Sequence, residues 1–472
     1  MFNIKNYEKY ILKKSMFGHF FRKGKIICAY NSLKIITIYF NSKIYPYILM
    51  VNKNSISKVL SKVPKNLKSS FYDVLTKICQ AHIFVPKDYN ELNYLKKVRK
   101  LVLKKPNIRV LVIHLTDYCN LHCKYCFIEK NIPRTYTRKN MSKKVIERSI
   151  DKFGKIIKNQ IFLKPPSIVF YGGEPLINWD ILKHGLEYLQ EKQQAKILPS
   201  KIEKILITNG TLINYKIADV LKKHNVLVSV SIDGPEKIHN FNRLFKNGKG
   251  SFKEAINGFQ ILKEKGIRPT VSCVLSKQSL KYASSIINWL INNLKITALG
   301  FNHVSIIPNI FSYDPIYENN FADALIKTQE IIQDKYPQVY ERRMNHKINC
   351  FLERQIIRAD CTGCGEQMSI SPDGKIGICQ GYMGSRKTFG ASVFDSKYNP
   401  QDDSVFIEWT KRSPLNMSQC WDCPALATCG GGCPRNADFI NGSIWEIDSA
   451  FCHFAKKAQE WMIWKKYEAK QR

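Results

Sequence analysis

The sequence predicts an α/β fold, and three observations predict it. From Ile108 onward, six short apolar runs alternate with longer amphipathic ones. The apolar runs are nearly continuous in Val, Ile and Leu, as expected of strands buried on both faces of a parallel sheet. The stretches between them are long enough for helices, and helical crossovers between parallel strands are right-handed.

The strands are expected at 109–115 (RVLVIHL), 167–172 (SIVFYG), 204–208 (KILIT), 226–232 (VLVSVSI), 270–275 (TVSCVL) and 298–304 (ALGFNHV). Helical spacing places helices near 141–158, 178–192, 212–224, 252–265 and 279–292. In folds of this kind, ligands sit at the carboxyl ends of the strands. The unusual residues of this chain fall there.

Residues 1–105 read as a small mixed domain. Two strands joined at Asn31 and Ser32 are expected within KIICAYNSLKIITIYFNS, followed by helices in SISKVLSKV and SSFYDVLTKICQ. The charged stretch LKKVRKLVLKKP reads as a connector to a second domain, residues 106–305. Residues 306–349 read as a linker with a helix near 321–334. Residues 350–472 are rich in Cys and Gly and finish in a helix.

Apolar residues make up 44% of the 472, which argues against disorder. No apolar run is long enough to span a membrane, and MFNIKNYEKY has no signal-peptide pattern, so a soluble cytoplasmic protein is expected. The net charge of +36 is uneven, because residues 1–110 hold 23 Lys and Arg against 4 Asp and Glu. Such a field attracts nucleic acid, an anionic membrane surface or an acidic peptide; the bland alternative is a set of solvated lysines.

Fifteen cysteines in a reducing compartment argue for metal or catalytic thiols rather than disulfides. Cys119, Cys123 and Cys126 follow a buried strand directly, within TDYCNLHCKYCFIEK. A cubane cluster takes four thiolates, so three close ones can hold one face and leave an iron open for a ligand. These positions could also form one stripe of a helix, yet Thr116, Asp117 and Asn120 favour a turn. A second group holds Cys361, Cys364, Cys379, Cys420, Cys423, Cys429 and Cys433, with Cys452 beyond. Paired zinc ligands are the alternative for these.

The first spacing, with Tyr125 before the last cysteine, resembles the radical S-adenosylmethionine (radical SAM) enzymes. The resemblance implies a partial (β/α)6 TIM-like barrel, a 4Fe-4S cluster, and S-adenosylmethionine chelated by the open iron and cleaved to a 5′-deoxyadenosyl radical. It extends to YGGEP at 171–175, where Gly172 and Gly173 would let the backbone approach a ligand and Glu174 would bind the methionyl amine. TNG at 208–210 and SIDGP at 231–235 look like further family motifs, making Asn209, Ser231 and Asp233 candidate cofactor contacts. Arg243 is a candidate partner for the cofactor carboxylate. Asn-Gly and Asp-Gly are also ordinary turn dipeptides. No catalytic side chain is singled out beyond the cluster.

The C-terminal cysteines resemble the SPASM extension, which binds two auxiliary 4Fe-4S clusters. Carried over by position, Cys364, Cys379 and Cys433 would hold the first, with Cys361 or Cys350 as fourth ligand or that iron open. Cys420, Cys423, Cys429 and Cys452 would hold the second. Family members mostly modify peptides or proteins, with reduced flavodoxin or ferredoxin as electron donor. The function expected is therefore a maturase of a ribosomally made peptide, forming a thioether or carbon-carbon link, with the basic N-terminal region capturing a leader peptide. An anaerobic sulfatase-maturing enzyme is the alternative. Those enzymes carry an aspartate, proposed as a general base, directly after the second cysteine of the extension; Gln380 stands there in this chain and cannot act so. A nucleic-acid-binding iron-sulfur protein is a third reading, and the cofactor motifs count against it.

Overall fold

The computed structural model describes residues 11–471 except 104, 159, 308 and 309. The reading of residues 1–10 lies outside the described residues.

The N-terminal region holds β1 (Leu12–Lys14), β2 (Gly18–Lys23), β3 (Ile26–Asn31), β4 (Ile36–Asn41) and β5 (Phe84–Pro86). β2, β3 and β4 form an antiparallel sheet with β3 in the middle, and β1 pairs with β5. The turn falls at the expected place, because the Asn31 Oδ1 accepts hydrogen bonds from the Leu33 and Lys34 amides. An Asn side chain that bonds its own backbone in this way favours a turn over further strand. Helices Tyr45–Met50, Ile56–Leu60 and Lys68–Gln80 close over the sheet. Ile27, Phe40, Ile48, Phe71, Leu75 and Ile78 form a core of its own. The charged stretch expected as a connector is mostly helix, Glu91–Val102, started by the Asn90 side chain and buried at Leu95.

Six strands follow at the expected places: β6 (Val110–His114), β7 (Ser167–Tyr171), β8 (Glu203–Thr208), β9 (Val226–Ser231), β10 (Thr270–Val274) and β11 (Ala298–Asn302). Each is parallel to the next. The crossovers contain helices Lys143–Ile157, Trp179–Gln194, Tyr215–Lys223, Phe252–Glu264 and Ala283–Leu294. Ser142 and Asn214 cap two of them by accepting hydrogen bonds from the Val145 and Ile217 amides. This is the partial barrel that the sequence implies.

The sheet does not stop at six strands. β12 (Tyr340–Glu341) pairs parallel with β11 at one edge. At the other edge β13 (Gln367–Ile370) pairs parallel with β6, and β14 (Lys375–Gly377) and β15 (Ala391–Ser392) continue antiparallel. Residues 306–349 are therefore no linker: they supply helix Pro315–Lys335, β12 and most of helix Arg342–Leu352. The cysteine-rich region also shares the barrel's core, in which Ile113 and Phe170 are continuous with Phe389, Trp409 and Phe451. The final helix, Ser449–Ala469, reaches back to the N-terminal sheet, where the Tyr39 hydroxyl donates to the Ile463 carbonyl at 2.6 Å.

Candidate functional site

β6 is followed by an irregular loop that carries Cys119, Cys123 and Cys126. Neighbouring backbone holds it: Gly173 and Glu174 amides donate to the Thr116 and Tyr118 carbonyls, both at 2.8 Å. On the other side, the His122 and Lys124 amides donate to the Leu244 and Asn242 carbonyls at 2.7 and 3.0 Å. The three thiols are half-buried and lie within one another's electrostatic reach. Burial pushes Cys119 and Cys123 up to about 12, and their neighbours' charges add to it for Cys119. Thiolates are metal ligands, so this group would ionise only with a compensating cation or metal.

The glycines of YGGEP serve this loop. A Cβ on Gly173 would stand 2.2 Å from the Tyr118 carbonyl oxygen, and one on Gly172, at φ +147°, 2.7 Å from that of Thr116. The close approach that needs glycine is thus to the cysteine loop, rather than to the ligand that the sequence suggested. Glu174 is 1% exposed. Its Oε1 accepts from Leu176 N and Thr208 Oγ1, and its Oε2 from Asn209 N. Three donors leave one of about four acceptor positions for a further ammonium. Burial raises its pKa to about 7, which a bound cation would reverse.

Asn209 is committed at both ends of its amide, donating to the Asn120 side chain at 2.8 Å and accepting from Thr211. It therefore ties β8 to the cysteine loop. Ser231 ends β9, half-buried, on the strand face opposite Val230 and the helices. Asp233 is fully buried and accepts from the Tyr125 hydroxyl, from Arg243 Nε at 3.1 Å and from Val274 N at 3.0 Å. Arg243 also lies over the Tyr125 ring, 5.5 Å from its centroid. The carboxylate thus orients Tyr125 and Arg243, and the guanidinium keeps its remaining N–H groups for an acceptor. No local pattern records this network, because Tyr125 lies 108 residues before Asp233.

In the C-terminal region, the electrostatic neighbours of half-buried Cys361 are Cys364, Cys433 and Cys379. Cys350 lies elsewhere, its Sγ 3.9 Å from His346 Nδ1 on the same helix. Cys420, Cys423, Cys429 and Cys452 line one cavity, beside Asp448, Phe451 and Lys456. Gly430, Gly431 and Gly432 follow Cys429 with φ of +75°, +82° and +66°, a left-handed run open only to glycine. Arg412, fully buried, fixes it by donating to the Gly431, Ile444 and Glu446 carbonyls. Among the described residues, no three His, Cys, Asp or Glu form a single-ion site. Four thiols around an open cavity fit a larger group.

A family model described as the radical SAM superfamily matches residues 113–290, which run from the end of β6 through the crossover after β10. The chain belongs to the radical SAM superfamily and is an enzyme of it. It is 26% identical to the radical SAM cyclopropyl synthase TigE of Paramaledivibacter caminithermalis over 443 residues, 85% of this chain and 88% of that one. It is 24% identical to the cysteine-type anaerobic sulfatase-maturating enzyme of Clostridium perfringens over 381 residues, 75% of this chain and 96% of that one. The fold resembles that of Streptococcus suis SuiB bound to its precursor peptide SuiA, with a TM-score of 0.53 and 18% identity over 93% of this chain and 99% of that one. No helix among the described residues is long and apolar enough to cross a membrane.

Asp233→Ala would leave Arg243 as a buried charge without its partner. It is expected to lower stability by about 3–5 kcal/mol, read from urea denaturation, since breaking a buried ion pair is strongly destabilising. A change below about 1 kcal/mol would show that the network is not what holds the loop.

Proposed function

We propose that this enzyme modifies a ribosomally made peptide, with one 4Fe-4S cluster on Cys119, Cys123 and Cys126 and two auxiliary clusters in the C-terminal region. Cys361, Cys364, Cys379 and Cys433 would hold the first auxiliary cluster, and Cys420, Cys423, Cys429 and Cys452 the second. When bound to the first cluster and reduced by flavodoxin or ferredoxin, S-adenosylmethionine supplies a 5′-deoxyadenosyl radical that abstracts a hydrogen atom. Glu174 would receive the cofactor's ammonium in its remaining acceptor position, and Arg243 its carboxylate. Gly172, Gly173, Asn209, Ser231 and Asp233 would shape the same pocket.

The observation that carries the peptide reading is the separate N-terminal unit. Its sheet has β4 at one edge, bordered by helix Lys68–Gln80, and an edge strand can take an extended peptide as a further strand. The local excess of 19 positive charges, from 23 Lys and Arg against 4 Asp and Glu in residues 1–110, suits an acidic leader. SuiB, whose structure bound to its precursor peptide this fold resembles, supports the same reading. A protein lacking residues 1–100 is expected to lose leader binding in a pull-down, and undiminished binding would remove this role.

The enzyme test is intact mass of a short cysteine-containing peptide encoded beside the gene, after anaerobic co-expression. A loss of two hydrogens per event is expected for a cross-link. Loss of sulfur with gain of a carbonyl would instead establish the sulfatase-maturing chemistry, and an unchanged mass despite 5′-deoxyadenosine formation would contradict the peptide reading and point to a larger protein substrate. Iron content separates the candidate ligands. Cys361→Ala is expected to lower iron per chain after reconstitution, while Cys350→Ala leaves it unchanged; the reverse would exchange their roles.

A further inference from the structure

His303 directly follows β11, at the carboxyl end of a barrel strand, where ligands of such folds sit. Its Nδ1 lies 3.0 Å from the Val304 carbonyl oxygen, so Nδ1 carries the proton and donates it there. Nε2 is then the unprotonated nitrogen, a hydrogen-bond acceptor with no partner among the described residues. Both ring nitrogens of His114 also lack partners, but they are sealed off from any space, whereas Nε2 of His303 is not. The ring stands edge-on to Phe321 with centroids 5.9 Å apart. Burial, aided by Arg343, lowers its pKa to about 4, so it is neutral near pH 7 and its lone pair is free.

Two guanidinium groups act on this ring, and both have unused donors. Arg343 Nε and Arg435 Nη2 are enclosed without a hydrogen-bond partner. Arg435 is 3% exposed and held by bonds from Nε to the Gly381 carbonyl at 2.9 Å and from Nη1 to the Ile306 carbonyl at 3.1 Å. It lies over Phe127, the residue after Cys126, and Gly381 is two residues beyond Cys379. The arginine therefore spans the gap between the radical SAM loop and the C-terminal cysteines. Enclosed donors without acceptors are costly, and a group that gains negative charge beside them relieves that cost.

We propose that His303 Nε2 is the base that takes a proton from the substrate, with Arg343 and Arg435 holding the group that becomes negative. This rests on the peptide-modifying reading. In the step, a substrate X–H bond, the S–H of a thiol, breaks heterolytically. The electron pair stays on X, and the proton forms the new Nε2–H bond. The residue after the second cysteine of the extension does not serve, because the Gln380 carboxamide is tied to Gln367 Nε2 at 2.7 Å and has no basic lone pair to offer.

The test uses His303→Gln and His303→Ala, each co-expressed with the short peptide encoded beside the gene, and reads modified peptide per 5′-deoxyadenosine formed. Loss of a general base is expected to lower this ratio at least about tenfold in both, with partial recovery of His303→Ala in added imidazole. An unchanged ratio overturns the proposal. A second measurement covers variants that load little iron, and a wild type that leaves the peptide unmodified, which would count against the peptide reading itself. Diethylpyrocarbonate treatment of the wild-type holoenzyme is expected to acylate His303 and spare the enclosed His114 and His239, and a His303 left unlabelled overturns the proposal on its own.

Discussion

The structure depends on the anchoring of one irregular loop. Residues between β6 and helix Lys143–Ile157 carry three cysteines and little regular structure, so their backbone groups must find partners elsewhere. The partners are the peptide units of Gly173 and Glu174 on one side and of Asn242 and Leu244 on the other. Tyr125, between the second and third cysteines, is held by Asp233. Asn120 is held by Asn209 and Thr211. The ends of β7, β8 and β9 thus fix the positions of the thiols, which explains why motifs scattered over about a hundred residues meet at one place.

A second consequence concerns the cysteine-rich region. Its first strand, β13, completes the sheet beside β6, and its aromatic residues enter the barrel's own core. The distance between the two cysteine regions is therefore set by hydrogen-bonded sheet and close packing. Lys347 strengthens this arrangement inside the C-terminal region. Its buried ammonium bonds Asp360, next to Cys361, and the carbonyls of Thr428 and Cys429. One cation thereby joins the two sets of four cysteines.

The six barrel strands were legible because burial on both faces writes a continuous apolar run. β2 was not, since GHFFRK offers only two apolar residues between polar ends and gains its place by pairing with β3. β13 is four residues long, and its pairing with β6 joins positions more than 250 apart, which no local pattern records. The helix at 91–102 was hidden by its lysines, although only one stripe through Leu95 is needed to hold it. At the site, spacing alone disclosed the cysteines. It could not disclose that Asp233 serves Tyr125 and Arg243, or that Gly172 and Gly173 make room for the loop's carbonyls. Those roles exist only once the strand ends are side by side.

The most direct measurement of this account is amide hydrogen exchange in the apoprotein, followed at His122, Lys124, Gly173 and Glu174. If the neighbouring strand ends hold the cysteine loop, these four amides are protected without iron and exchange together with the amides of β6 and β7. Exchange at the rate of an unstructured loop, with protection gained only after cluster reconstitution, would mean that the metal organises the loop and would contradict the account.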